Sequence, residues 1–375
     1  IALDSSLVTH LDDEVFDVDK ATKVLVKHFD VLSLESFGCK DMPLAVAASG
    51  AIINYLSRTQ RLVVERLGNL HTYIPRRFML VDQQTKRNLG LFTDRQSIGM
   101  PASLLGIIDL TNTSMGGRLL RKWIGQPLID LETLENRQDA IESFYVNQMG
   151  RDDAMSHLKQ IPDLERLLNR IAIGVAIPRD ILALRKGLLA SGNLKRVLQN
   201  VTEFPSEVTS ALDSCDAIID LIVSALEESL EGHLGQGWFI QIGFSDDLDS
   251  LKKTYSESIE YVASLERLER EKTGIKSLKV GYNRVFGYYI EVSNVNLAQV
   301  PSDYSRRQTL VSGERFITQD LKEYEATILN TYERIKELEA SLFRDICNQI
   351  TEYQESIKGT ANAIAQIDLF VSLAH

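Results

Sequence analysis

The segment Lys276–Asn294, KSLKVGYNRVFGYYIEVSN, decides the fold, because it separates two long helical patterns with a run that has no helical period. Tyr282, Phe286, Tyr288, Tyr289, Ile290 and Val292 are aromatic or β-branched, with Gly281 and Gly287 set among them. That composition predicts a β-hairpin whose aromatic residues form a small core. A polar loop, NVNLAQVPSDYSRRQ (294–308), follows, and TLVSGERFITQD (309–320) closes the β-like stretch.

Upstream, Leu248, Leu251, Tyr255, Ile259, Val262, Leu265 and Leu268 recur every three or four residues, which is one face of a helix over 246–272. Such a helix is about 40 Å long. The charged run SLERLEREKTG (264–274) is its solvated face. Downstream, a second stripe runs from Leu321 through Tyr324, Ile328, Tyr332, Ile335, Leu338, Leu342, Ile346, Ile350 and Tyr353 to Ile357. It predicts an unbroken helix of roughly 55 Å. Two long antiparallel helices with a β module at their far end make a lever with a tip.

The remaining chain reads as helices punctuated by proline and capping residues. DVDKATKVLVKHF (17–29) has Asp17 and Asp19 as candidate caps; in MPLAVAASGAIINYLSRTQR (42–61), Leu44, Ala48, Ala51 and Tyr55 recur at helical spacing. Asn112 or Thr113 caps the pattern that starts at Met115-Gly116-Gly117, and Pro127 ends it. Packing is favoured over a phosphate site at that helix start. LIDLETLENRQDAIESF (128–144) is amphipathic, and further breaks fall at Pro162, Pro178, Pro205 and the GHLGQG turn (232–237). The expected fold is mainly α: a helical core whose two long antiparallel helices carry a small β-rich insertion.

A chain of 375 residues with 44% hydrophobic side chains, 25% charged ones and only 8 prolines can bury the cores of two or three domains. Cys39, Cys215 and Cys347 lie far apart without a Cys-x-x-Cys or Cys/His pair, so idle or buried thiols are expected rather than disulfides or zinc. No apolar run is long enough to span a membrane. The opening IALDSSLVTHLDDEVF lacks a signal-peptide layout and reads as a cut into a longer chain. The six histidines (His10, His28, His71, His157, His233 and His375) form no i,i+4 pair and stand near no nucleophile, so no catalytic site is expected. The net charge is −11, yet residues 276–322 hold seven basic residues against four acidic ones and carry +3, leaving −14 on the remainder. A basic tip on an acidic body suits contact with a phosphate backbone at the tip and repulsion elsewhere.

Several blocks together resemble a known family. GYNRVFGYYIEVSN (281–294) and YSRRQTLVSGERFITQDLKEYE (304–325) are similar to the clamp segment of the MutS mismatch-repair family. MLVDQQTKRNLGLF (79–92), DLTNTSMGGRLLRKWIGQPL (109–128), IPDLERLLNRIAIGVAIPRDILALR (161–185) and GFSDDLDSLKK (243–253) resemble its core blocks in the expected order. TANAIAQIDLFVSLAH (360–375) looks like the segment before its ATPase domain. The resemblance implies four parts: the end of a connector domain over 1–65, a core and lever domain over 66–265, a clamp over 266–325, and the returning lever helix over 326–375. The mismatch-reading Phe-x-Glu motif and the P-loop pattern G-x-x-x-x-G-K-[ST] are both absent from this chain.

What the resemblance implies for function is non-specific gripping of the duplex backbone and lever-type coupling within a mismatch-recognition protein. The complete protein is implied to be a dimeric ATPase using ATP and Mg, which this chain has no site for. Its implied partners are mismatched or nicked double-stranded DNA, a second MutS-type subunit and a MutL-type protein. Its implied compartment is the cytoplasm or nucleoid of a prokaryote, or the nucleus of a eukaryote. The candidate backbone ligands are Arg306 and Arg307 after the hairpin, Lys279 and Arg284 on the preceding strand, and Asn294, Asn296, Tyr304 and Gln308 as hydrogen-bond donors. One arginine of the pair is alternatively a salt-bridge partner of Asp303 or Glu314. The alternative function is a helical scaffold whose β insertion docks a protein.

Overall fold

The structure, a computed structural model, describes residues 8–39, 41–60, 64, 67, 70, 72, 78–92, 103–228, 238–283 and 287–375. The expected turn at 232–237 and two residues of the expected hairpin, Arg284 and Phe286, lie outside these residues. The chain forms two compact units: Ile1–Val175, Gly187–Ser214 and Glu355–His375 make the first, and Ala176–Lys186 with Cys215–Gln354 make the second.

The first unit begins with α1 (Val18–His28) and α2 (Pro43–Thr59). Asp17 caps α1 as expected, accepting the Lys20 N–H at 2.9 Å. Of the expected stripe on α2 only Ala51 is buried: Leu44, Ala48 and Tyr55 are exposed, whereas Val46, Ala47, Gly50 and Ile53 join Ala51 in the buried face. A Cβ on Gly50 would run into Ala21, so the glycine allows α1 its close approach. Short helices α3 (Gln83–Asn88) and α4 (Leu104–Ile108) lead to α5 (Ser114–Gly125), α6 (Leu131–Val146), α7 (Gln148–Leu158) and α8 (Leu164–Ala172). Helix α9 (Pro178–Leu198) starts in the second unit and ends in the first, followed by α10 (Ser206–Ser210).

Of the two candidate caps of α5, Thr113 is the one used: its hydroxyl accepts the Gly116 N–H at 3.0 Å. The same hydroxyl donates to Asp368 at 2.7 Å, and Asp368 also accepts the N–H groups of Asn112 (2.8 Å) and Thr113 (2.7 Å). Asp368 belongs to α14 (Gln354–Leu373) and is fully buried. The start of α5 is therefore a packing site whose anion is an internal carboxylate.

The second unit holds α11 (Asp216–Ala225) and the two long helices, α12 (Asp246–Thr273) and α13 (Gln319–Glu352). Ser245 caps α12, and Gly274, at φ 73°, ends it in the left-handed conformation. Along their seam Tyr261 stacks on Tyr324 with centroids 3.8 Å apart, Tyr255 faces Tyr332 at 5.9 Å, and Lys252 pairs with Glu339 at 3.2 Å. One partner number falls as the other rises, so the helices are antiparallel, as expected.

The expectation of an unbroken helix to Ile357 is corrected. Helix α13 ends at Glu352, and the Tyr353 N–H donates to Ile350 at 3.1 Å, three residues back instead of four. The last turn tightens there and α14 starts afresh at Gln354. The apolar spacing Ile350, Tyr353, Ile357 continues across the break, so periodicity alone gives no sign of it.

Between the long helices lies an antiparallel sheet of β1 (Lys279–Asn283), β2 (Gly287–Ser293), β3 (Ser305–Thr309) and β4 (Gly313–Ile317), in the order β1-β2-β4-β3. Its core is shared with the helices. Ile290, Val292 and Phe316 of the sheet, with Ile275, Leu278 and Tyr304, form one buried cluster with Val262 and Leu265 of α12 and Leu321 and Ile328 of α13.

Candidate nucleic-acid interface

The register of the sheet sorts its side chains into two faces. Val280, Ile290 and Phe316 lie opposite one another on the core face. On the other face a row crosses all four strands: Lys279 opposite Glu291, Glu291 opposite Arg315, and Arg315 opposite Gln308. The Arg315 Nε donates to Glu291 at 3.0 Å, its Nη1 donates to the Gln308 side-chain oxygen at 3.0 Å, and its guanidinium lies 4.1 Å over the Tyr289 ring. Arg315 is thus spent on cross-strand structure.

The sequence-selected ligands divide accordingly. Arg306 pairs with Glu314 at 2.9 Å, the salt bridge that stood as its alternative reading. Arg306 and Arg307 occupy edge strand β3, not a loop as the sequence suggested. The register shifts between Arg306 and Gln308, which makes Arg307 the extra residue of a bulge. Bulges on edge strands re-aim a side chain and leave it out of the ladder. Arg307 is exposed, as is Lys279 at the start of β1. Arg284 lies outside the described residues.

The polar candidates are engaged within the module. Asn294 donates its side-chain N–H to the Val311 carbonyl at 3.0 Å, and Asn296 donates to the Ser277 hydroxyl at 2.8 Å. Gln308 retains partial exposure while its oxygen is held by Arg315. Tyr304 must be withdrawn as a donor to DNA. It is 7% exposed, and its hydroxyl donates to Glu269 at 2.6 Å. Burial, then that hydrogen bond, pushes the Tyr304 hydroxyl well above the usual tyrosine range. The aromatic reading fares as expected in part: Tyr288 packs against the core cluster, whereas Tyr282 is exposed.

Sequence reasoning counted the exposed cations Lys276 and Lys322 in the basic tip without selecting them as ligands, and it passed over two buried carboxylates, Glu269 and Glu339. The carboxylates were detectable. Glu269 follows Val262 and Leu265, and Glu339 follows Ile335, on the very stripes that the apolar residues define. Glu339 accepts the N–H groups of Phe239 and Ile240 at 3.2 and 3.3 Å beside the Lys252 ammonium, and burial raises its carboxyl above the usual range.

The charges leave a remainder. Each described carboxylate of residues 276–318 is ion-paired: Glu291 with Arg315, Asp303 with Lys272 at 3.3 Å, and Glu314 with Arg306. Of the described cations of residues 276–318, Lys276, Lys279 and Arg307 are left exposed and outside any ion pair; the Glu291 that faces Lys279 across the strands is paired with Arg315.

Comparison with known proteins bears on what such a module belongs to. The family model for MutS domain III matches residues 84–374, and that for MutS domain II matches residues 2–71. This chain belongs to the MutS family. Relatives named DNA mismatch repair protein MutS include one from Dehalococcoides mccartyi (strain ATCC BAA-2266 / KCTC 15142 / 195), 39% identical over 98% of this chain and 43% of its own length. Those from Methanococcoides burtonii and Salinibacter ruber are 38% and 40% identical, again over 98% of this chain but 42% and 40% of their own lengths. The chain therefore spans about two-fifths of the MutS relatives it matches. The unpaired cations, the sheet and both long helices all fall inside the MutS domain III match. Among the described residues no cluster of His, Cys, Asp or Glu can hold a metal ion, and no helix is long and apolar enough to cross a membrane.

Proposed function

We propose that this chain grips the phosphate backbone of duplex DNA through its β module, within a mismatch-recognition protein of DNA mismatch repair. The observation that carries the reading is the charge remainder: local carboxylates are neutralised by local cations, and Lys276, Lys279 and Arg307 stay exposed and unpaired. A surface of this kind takes a polyanion without reading sequence. The antiparallel pair α12 and α13, continuous in its core with the module, serves as the lever that couples grip to the rest of the complete protein. A second MutS-type subunit and a MutL-type protein are its proposed partners. ATP and Mg are proposed to act elsewhere in that protein, a reading supported by the lack of a G-x-x-x-x-G-K-[ST] pattern in this sequence.

The test is a salt-titrated measurement of duplex affinity by fluorescence anisotropy on the complete protein. Each phosphate contact contributes about 0.9 to the slope of log affinity against log salt. Lys279→Ala/Arg307→Ala is expected to weaken binding and flatten that slope by about 1.8. Arg306→Ala, whose charge is matched by Glu314, is expected to change it little. A double variant with unchanged affinity and slope refutes the reading and leaves a protein-docking scaffold in its place.

A further inference from the structure

Arg137 is a cation on the apolar face of its helix. Helix α6 turns about 100° per residue, so Leu134, Ala140, Ile141 and Phe144 lie within roughly 60° of Arg137 around its axis. That is the inward face, where Ala140 and Phe144 are fully buried. The helix carries four carboxylates, Glu132, Glu135, Asp139 and Glu142, and all are exposed. They lie roughly 140–220° away from Arg137, on the opposite face. No acidic residue occupies a position three or four residues from Arg137, where a helical ion pair forms.

The half-buried guanidinium is held by stacking instead. Its carbon lies 3.3 Å over the ring of Trp123 in α5. Trp123 is itself fixed, packing on the cluster of Leu105, Leu120 and Leu369, with its ring 6.0 Å from that of Phe370. Stacking orients the guanidinium plane and leaves its N–H donors free to bond at the edge. Among the described residues Arg137 has no hydrogen-bond or ion-pair partner. Burial alone acts on it and pushes it down to about 10. Arg118 of α5 makes the contrast: Asp163 at 2.6 Å and Glu165 at 2.5 Å hold its proton more tightly than usual. A desolvated cation without a counter-charge is costly, and departures of this sort collect at functional sites.

An apolar ledge adjoins the same helix. Phe78 bridges Leu128, and the Met79 N–H donates to the Pro127 carbonyl at 2.7 Å. Beside this bridge Met79, Leu80, Ile129 and Leu131 are all exposed, Leu80 at 95%. Leu131 and Arg137 are separated by about 9 Å along α6, within reach of one short segment.

We infer that Arg137, stacked on Trp123, is the carboxylate-binding point of a docking surface whose apolar part is Met79, Leu80, Ile129 and Leu131. Its occupant is an amphipathic acidic segment from the part of the complete MutS protein that lies outside this chain. Length supplies the source, since the MutS relatives match this chain over only 43%, 42% and 40% of their own lengths. Charge supplies the chemistry. A guanidinium fork takes a carboxylate through two parallel hydrogen bonds, whereas the exposed carboxylates of α6 repel a phosphate strand. The ledge then takes the apolar side of the same segment. None of this depends on the DNA-gripping reading.

The experiment treats the purified complete protein carrying Arg137→Lys with a water-soluble carbodiimide. The reagent activates a carboxylate, and an amine in contact with it displaces the urea and forms an amide without a spacer. Peptide mass spectrometry is expected to find position 137 joined to an Asp or Glu outside these 375 residues. Arg137→Met keeps a side chain packed on Trp123 and removes the charge. It is expected to speed amide exchange in the joined segment about tenfold or more, the loss of one charge-assisted contact. Converting that Asp or Glu to its amide is expected to give the same acceleration, and the two changes together no further one. No join at position 137 overturns the inference. A join only to carboxylates of residues 1–375 also overturns it, whether they belong to the same copy or to a second. Unchanged exchange in Arg137→Met does so too, and leaves Arg137 as packing for Trp123. These readouts involve no DNA, so the salt-slope test of the β module succeeds or fails separately.

Discussion

Tyr304 donates its hydroxyl to Glu269 at 2.6 Å, from a position where residue type alone suggested a surface donor. Glu269 is 6% exposed, and apart from Tyr304 its charge is met by Lys272 at 3.9 Å. A buried carboxylate that loses its hydrogen-bond donor costs more than the bond itself contributes. Tyr304→Phe is therefore expected to lower unfolding free energy by about 1–3 kcal/mol in denaturant titration at neutral pH. The pH dependence has a definite sign. The folded hydroxyl holds its proton more tightly than its ordinary value of 10.0, so it is protonated in both states below that pH and contributes no slope there. As pH rises past 10.0 only the unfolded tyrosine ionises, and stability is lost up to the raised folded value. The phenylalanine variant lacks this alkaline component. A variant whose alkaline loss equals that of the parent would show that Tyr304 titrates freely.

Two helical glycines separate what an element needs from what it merely tolerates. In α5 a Cβ on Gly116 would run into the Asp368 carboxylate, which is fixed by the Asn112 and Thr113 N–H groups. In α14 a Cβ on Gly359 would meet nothing within 4 Å. Gly116→Ala is expected to destabilise by about 1–3 kcal/mol through overpacking. Gly359→Ala is expected to stabilise by about 0.5–1 kcal/mol by removing unfolded-state freedom. Urea midpoints moving in opposite directions check both, and equal shifts would sink the distinction. Packing at the Met115-Gly116-Gly117 helix start was legible in the sequence, but its partner was not, because Asp368 lies some 250 residues away. Helix α12 was legible nearly to the residue, since its stripe, its Ser245 cap and Gly274 agree. The end of α13 was hidden because an apolar residue, Tyr353, keeps the stripe in phase through the break. In the candidate site, the residue types were visible and the pairing was not: only strand register distinguishes Arg306, held by Glu314, from Arg307, turned out by a bulge.

At the scale of the whole molecule, sequence periods mark residues 276–320 as a separate insertion, while the packed structure gives that insertion no core of its own. Ile290 and Phe316 share one buried cluster with Val262, Leu265, Leu321 and Ile328. The consequence is mechanical. A module with a private core swivels on its tethers, whereas one whose core is also the helices' core moves only with them, as coupling over distance by a stiff element requires. Farther along the same helices, Lys252, Glu339 and the Phe239–Ile240 backbone form a second, polar fastening. Ile290→Ala tests the arrangement, because truncating a fully buried isoleucine costs about 2–5 kcal/mol and leaves a cavity at the shared core. Amide exchange is expected to accelerate in the sheet and also in α12 around Val262–Leu265 and α13 around Leu321–Ile328. Around Lys252 and Glu339, beyond the shared cluster, protection is expected to persist. Local opening follows cooperative units, not sequence segments, so acceleration confined to residues 279–317 would mean an autonomous module and no stiff connection.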